Sequence, residues 1–163
     1  MREGTSGVGA RISRILEVNI AVRDLDSTRE RFRAMGLSDV GVWEVVSPPV
    51  EARTTSFPIS ESNLSLIEPL HEGDPIARFL DRRGEGLFSV TLLVDGIHEI
   101  VTSWRSLGIE FVLEEPLEMR DVRIAGAQIP LILENWTRPS TLNGFVIELQ
   151  DHRYSDGRPR FGW

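Results

Sequence analysis

Glu17-Val18-Asn19-Ile20-Ala21-Val22, set above Ser89-Val90-Thr91-Leu92-Leu93-Val94, decides the fold. From that start the two stretches run in register without a gap to Leu37 and Ile109. Leu25 meets Ile97, Phe32 meets Trp104, Arg33 meets Arg105, and Met35-Gly36-Leu37 meets Leu107-Gly108-Ile109. Each copy is a β-branched run, a turn, and an amphipathic stretch closed by glycine, which is the mark of a repeated supersecondary unit. The glycine suits a helix C-terminus in the left-handed conformation. The spacing predicts one helix over roughly Asp26 to Met35, with Leu25, Phe32 and Met35 inward. It predicts another over roughly Ile97 to Leu107, with Ile97, Ile100, Val101 and Trp104 inward.

Strand-like segments follow each helix. After the first come Val42 to Val46, Ala52 to Ile59 and Leu64 to Glu68. After the second come Glu110 to Glu114, Val122 to Leu133 with room for a bulge, and Phe145 to Gln150. Between the copies, Asp74-Pro75 forms a good N-cap and first-turn pair for a short linker helix reaching Arg83. The expected architecture is therefore α+β, with two tandem βαβββ modules. One module cannot cover its own sheet, so the two are expected to roll their sheets around a shared cleft, a favourable place for a ligand. The expected boundaries are a flexible N-terminal arm at 1–14, a first module at 15–72, a linker helix at 73–86, a second module at 87–151 and a C-terminal tail at 152–163. That tail is polar and rich in Arg, Gly and Pro, with only Phe161 and Trp163 to pack.

Composition narrows the chemistry. Of 163 residues, 40% are hydrophobic, enough for an ordinary core. No apolar run is long enough to span a membrane. Met1 to Ala10 lacks the apolar centre of a signal peptide, so a cytoplasmic protein is expected. Cysteine is absent, which removes disulfides, thiolate nucleophiles and thiolate metal sites together. Lysine is absent too: all 18 basic residues are Arg, so a lysine Schiff base is excluded. A net charge of −7 argues against a nucleic-acid partner. The glycines of the N-terminal arm follow no strand and make no dinucleotide fingerprint.

Four stretches carry a resemblance. They are Glu17-Val18-Asn19-Ile20-Ala21-Val22-Arg23-Asp24-Leu25; Leu66-Ile67-Glu68-Pro69-Leu70 with Asp74-Pro75-Ile76-Ala77-Arg78-Phe79-Leu80; Arg83-Gly84-Glu85-Gly86-Leu87; and Asn135 to Thr141 leading into Gly144-Phe145-Val146-Ile147-Glu148-Leu149. In these the chain resembles the vicinal oxygen chelate superfamily (glyoxalases, bleomycin-resistance proteins, dioxygenases) and, within it, the methylmalonyl-CoA epimerase family. The superfamily holds a divalent metal with one residue from each of four strands. Carried over one position at a time, the first-strand ligand, commonly His, is Glu17. The fourth-strand Gln or Glu falls on Ser65, the fifth-strand His on Ser89, and the eighth-strand Glu is kept as Glu148. A neutral serine is a poor ligand for such ions, so no metal or other cofactor is expected. His71 in a loop, His98 on a helix and His152 in the tail do not replace the missing donors.

The residues alone leave two readings of these positions. Alternation sets Ser65 and Glu148 opposite their apolar neighbours, either lining a cavity or facing water. The resemblance implies the cavity. There Glu148 and Glu17 would form a carboxylate pair sharing one proton, with Glu44 a further base, since the epimerases carry a catalytic Glu on the second strand. Ser65, Ser89, Arg53 and Arg123 would meet a ligand oxygen, though a lone Arg is more often a surface ion-pair partner. Trp43, Phe57 and Trp136 would line the ligand's apolar part, though at these spacings each also suits the core.

Two functions follow as expectations. One is an epimerase-like or glyoxalase-like enzyme, an isomerase or lyase, using carboxylate acid–base chemistry on a carbonyl or acyl metabolite such as an acyl-CoA. The alternative is a sequestering protein of the bleomycin-resistance type that binds a small molecule without transforming it. In either case the resemblance implies a homodimer, and the lack of a long apolar run implies no membrane partner.

Overall fold

A computed structural model describes residues 9–124 and 127–154. The repeat appears twice as strand, turn and helix. β1 (Arg11–Ala21) leads into α1 (Leu25–Ala34), and β5 (Gly86–Asp95) leads into α3 (Ile97–Ser106). Each helix ends as its glycine predicts, with Gly36 at φ 94° and Gly108 at φ 85°. Met35 sits at the C-cap of α1, where the chain is already leaving the helical path. It is 73% exposed rather than inward.

After α1 come β2 (Val42–Ser47), β3 (Val50–Ile59) and β4 (Ser62–Pro69). After α3 come β6 (Leu117–Ile124), β7 (Ala127–Trp136) and β8 (Ile147–Arg153). The linker helix α2 spans Pro75–Arg83. Asp74 caps it, accepting from the Ile76 amide at 2.6 Å. The architecture is two βαβββ modules in tandem. No helix among the described residues is long and apolar enough to cross a membrane.

Three expected strands change. Glu110 to Glu114 forms no strand; only Phe111 makes a bridge, to Thr137. The run Val122 to Leu133 divides into β6 and β7, which pair as a hairpin with Ile124 opposite Ala127. A glycine inside an apolar run suits a two-residue hairpin connection as well as a bulge; Ala125 and Gly126 themselves lie outside the described residues. The last strand starts two residues later than expected, leaving Phe145 61% exposed, and runs through Arg153. His152 therefore belongs to β8 and not to a tail. Phe161 and Trp163 lie outside the described residues.

The chain divides into two compact units. In the first, built mainly from Ile15–Thr91, the strand order is β2-β3-β4-β1, with the start of β5 beside β1. β1 and β4 are parallel with Asn19 opposite Ser65, while β3 runs antiparallel to β4 with Ser56 opposite Ser65. Period-two alternation then sorts the side chains. One face carries Val22, Phe57 and Leu66, closed by Leu25 with Phe32 and Leu37 from the α1 side. The opposite face carries Ala21 and Ala52, covered by Ile76 and Leu80 of α2. Burying a side chain of Leu25's size contributes about 1.5–3 kcal/mol.

In the second unit the end of β5 is followed by β8, β7 and β6. β7 and β8 are antiparallel with Trp136 opposite Glu148, Glu134 opposite Gln150 and Ile132 opposite His152. Leu93, Val94, Ile97, Ile100 and Val101 are buried here.

One feature recurs in both modules. The first helical amide of each receives a carboxylate from its own last strand. Leu25 N–H donates to Glu68 of β4 at 3.3 Å, and Ile97 N–H donates to Asp151 of β8 at 3.2 Å. Glu68 stands three residues after Ser65, and Asp151 three after Glu148.

Candidate functional site

On the α2-facing side of the first unit, neighbouring strands place a row of small neutral polar residues. Ser56 is on β3, Ser65 on β4, Asn19 on β1, and Ser89 and Thr91 on β5; all five are buried. Asn19 Nδ2 donates to Ser89 Oγ and to Thr91 Oγ1, each at 3.0 Å. Ser56 and Ser65 share a hydrogen bond of 2.7 Å between their hydroxyls. Glu17, two residues before Asn19 on the same side of β1, is half-buried and opposite Asn63. Trp43, opposite Thr54, falls on this face too.

The other face of the same sheet holds three more of the predicted residues. Glu44 is exposed and lies opposite Arg53, which in turn lies opposite Glu68. The Arg53 guanidinium is taken up by Asp26 at 3.0 Å and Glu68 at 2.8 Å, and Asp26 above all holds it above its ordinary pKa. Phe57 is fully buried against Phe32, with ring centroids 5.3 Å apart, so it is core.

The second unit gathers a different set on one face of β7 and β8. Gln150 Nε2 donates to Glu134 at 2.9 Å and to Glu148 at 2.7 Å. Gln150 Oε1 lies 2.9 Å from His152 Nε2. An amide oxygen only accepts, so His152 carries its proton on Nε2. Burial pushes the His152 imidazole down to about 4; Asp151 opposes this and Arg14 adds to it. Glu134 is buried and Trp136 is buried beside Glu148. Arg123 is exposed on β6, opposite Gln128.

Residues 17–125 match the model of the Glyoxalase/Bleomycin resistance protein/Dioxygenase superfamily. The chain belongs to this superfamily. It is 27% identical over 145 residues, 85% of this chain and 98% of the relative, to the ethylmalonyl-CoA/methylmalonyl-CoA epimerase of Cereibacter sphaeroides. The solved methylmalonyl-CoA epimerase of Mycobacterium tuberculosis matches with a TM-score of 0.68 at 26% identity, over 86% of this chain and 88% of that one. A variant of the Streptomyces coelicolor methylmalonyl-CoA epimerase, solved in complex with 2-nitronate-propionyl-CoA, matches with a TM-score of 0.69 over 86% and 98% of the two chains; at 23% identity it bears on the fold alone.

The superfamily's metal needs four donors, and this chain fits it poorly. Of the four positions, Ser65 is bonded to Ser56 and Ser89 to the Asn19 amide, and neither hydroxyl is charged. Glu148 is engaged by Gln150. Among the described residues no three His, Asp or Glu side chains converge as a metal-holding group. His71 is spent on Glu51 at 2.9 Å, and His98 lies exposed on α3.

Sequence reasoning missed Asn19, Glu134, Gln150 and His152 as members of these clusters. Asn19 carried a signal: it stands two residues from Glu17, on the same side of a strand. Gln150 stands in the same relation to Glu148. Glu134 carried none, because the boundary of β7, and hence its partner on β8, was misplaced.

Proposed function

We propose that this chain is an epimerase-like enzyme acting by carboxylate acid–base chemistry on an acyl metabolite of the acyl-CoA class, without the superfamily's metal. The observation that carries the reading is the joining of Glu148 to Glu134 through one amide, that of Gln150. The likeness to the Cereibacter epimerase over nearly the whole of both chains supports the substrate class.

Epimerisation beside a carbonyl moves one proton out and one back. A carboxylate takes the proton from the carbon next to the acyl carbonyl, and the electron pair passes to the carbonyl oxygen as an enolate. A carboxylic acid then returns a proton to the opposite side of that carbon. Glu148 is assigned as one of these groups and Glu134, joined to it through Gln150, as its partner. Gln150 holds both carboxylates through its two N–H bonds. The reading includes a homodimer, as the resemblance implies, which sedimentation velocity checks.

The test is solvent exchange. Incubated in deuterated buffer containing EDTA, the wild-type protein should exchange the C2 proton of methylmalonyl-CoA or ethylmalonyl-CoA for deuterium, read by NMR. Glu148→Gln should slow that exchange by about 100-fold or more. If wild-type protein exchanges neither ester, the epimerase reading fails.

A further inference from the structure

The geometry points to Ser89, oriented by Asn19, as a neutral hydrogen-bond donor site for a ligand's carboxylate, enolate or acyl oxygen. It stands at the position where the superfamily places a metal-binding histidine. A serine hydroxyl has one hydrogen to give and can accept twice. Asn19 spends both Nδ2 hydrogens, one on Ser89 Oγ and one on Thr91 Oγ1, so Ser89 is an acceptor in that bond. The hydrogen on Ser89 Oγ is directed away from Asn19, and it finds no acceptor among the described residues. In the adjacent Ser56–Ser65 pair one hydroxyl donates to the other, and the hydrogen of the accepting one is likewise left over.

All five side chains are 5% exposed or less, where an unspent donor is costly unless something meets it. The row carries no charge from Ser56 to Ser89; the Glu17 carboxylate stands outside it, two residues before Asn19 on the same side of β1. Leu87, two residues before Ser89 on the same side of β5, is 50% exposed, so this face meets solvent one step along the strand. A metal would polarise such an oxygen by charge. Preset hydroxyl and amide dipoles do it by hydrogen bonds that need no rearrangement when charge develops.

This inference deepens the acyl-substrate reading and rests on it only for one of its two probes. Uniformly 15N-labelled full-length protein in EDTA is titrated with propionyl-CoA and, separately, with methylmalonate, which has carboxylates but no CoA. The Asn19 side-chain amide is followed by NMR and affinity by calorimetry. At least one probe should shift the Asn19 Nδ2 resonances saturably. Ser89→Ala should weaken that probe by about tenfold, and Ser89→Thr, which keeps the hydroxyl, by no more than about threefold. Ser89→Cys, close in volume but a weak donor, should behave as Ser89→Ala and serves if the alanine variant folds poorly. If methylmalonate moves Asn19 and propionyl-CoA does not bind, the donor site stands and the acyl-CoA reading falls. If propionyl-CoA binds Ser89→Ala as tightly as wild type, the acyl-CoA reading stands and the donor site is overturned. If neither probe moves Asn19, the donor site is overturned as well.

Discussion

His152 is a residue whose environment turns acidity into instability. The unfolded chain takes a proton on this imidazole near pH 6.5, whereas burial keeps it neutral in the folded chain down to about 4. The folded pKa lies below the unfolded one, so the folded state binds fewer protons between those values. Stability present at neutral pH is then lost as pH falls through this window, by at most about 3 kcal/mol. Replacing His152 by Gln removes the titrating ring. Urea unfolding at pH 7, 5.5 and 4.5 should show wild type losing more stability than His152→Gln across that range. Equal losses would mean that another group governs the acid limb. No pattern in the sequence marked this histidine. It stands two residues past the last strand as first bounded, and only the register that sets it opposite Ile132 shows that it is inside.

At the level of the element, the two helices begin differently although their strands are copies. Asp24 caps α1 with its own side chain, accepting from Ser27 N–H at 2.8 Å. The equivalent position before α3 is Gly96, which has no side chain to offer. Asp151 takes over, accepting from Gly96 N–H at 3.0 Å and Ile97 N–H at 3.2 Å while paired with Arg153. Asp151→Ala should cost about 1–3 kcal/mol, more than a surface cap, since it strands two amides and a guanidinium. Hydrogen exchange at Ile97 and Ile100 should accelerate before that of β7. If α3 keeps its protection, the helix start is secured elsewhere. The helices and five of the strands were legible because hydrophobic spacing and the glycine stops are local signals. Glu110 to Glu114 was not: its β-prone composition serves one bridge and a turn, a choice made by Asn135, whose side chain binds Leu113 N–H at 3.2 Å and Leu113 O at 3.1 Å. Such a side-chain substitute for pairing leaves no trace in residue spacing.

For the whole molecule, the repeat made the fold legible, while the site was legible only in position. Two serines and two glutamates at four strand positions are the ground for expecting a site ill-suited to a divalent ion; residue spacing did not foretell that Asn19 would hold Ser89 or that Gln150 would hold Glu148. Dialysis against EDTA is accordingly expected to leave the thermal midpoint and ligand affinity unchanged, with less than about 0.1 divalent ion per chain by elemental analysis. One tightly held ion per chain would overturn this. The carboxylates that tie Leu25 to Glu68 and Ile97 to Asp151 have a further consequence. Each module fastens the front of its helix to its own final strand, so neither borrows that closure from its twin. Two halves joined in this way are free to drift apart in chemistry while staying alike in build. Ser65 and Glu148 differ in that way already, three residues upstream of fasteners that are acidic in both modules.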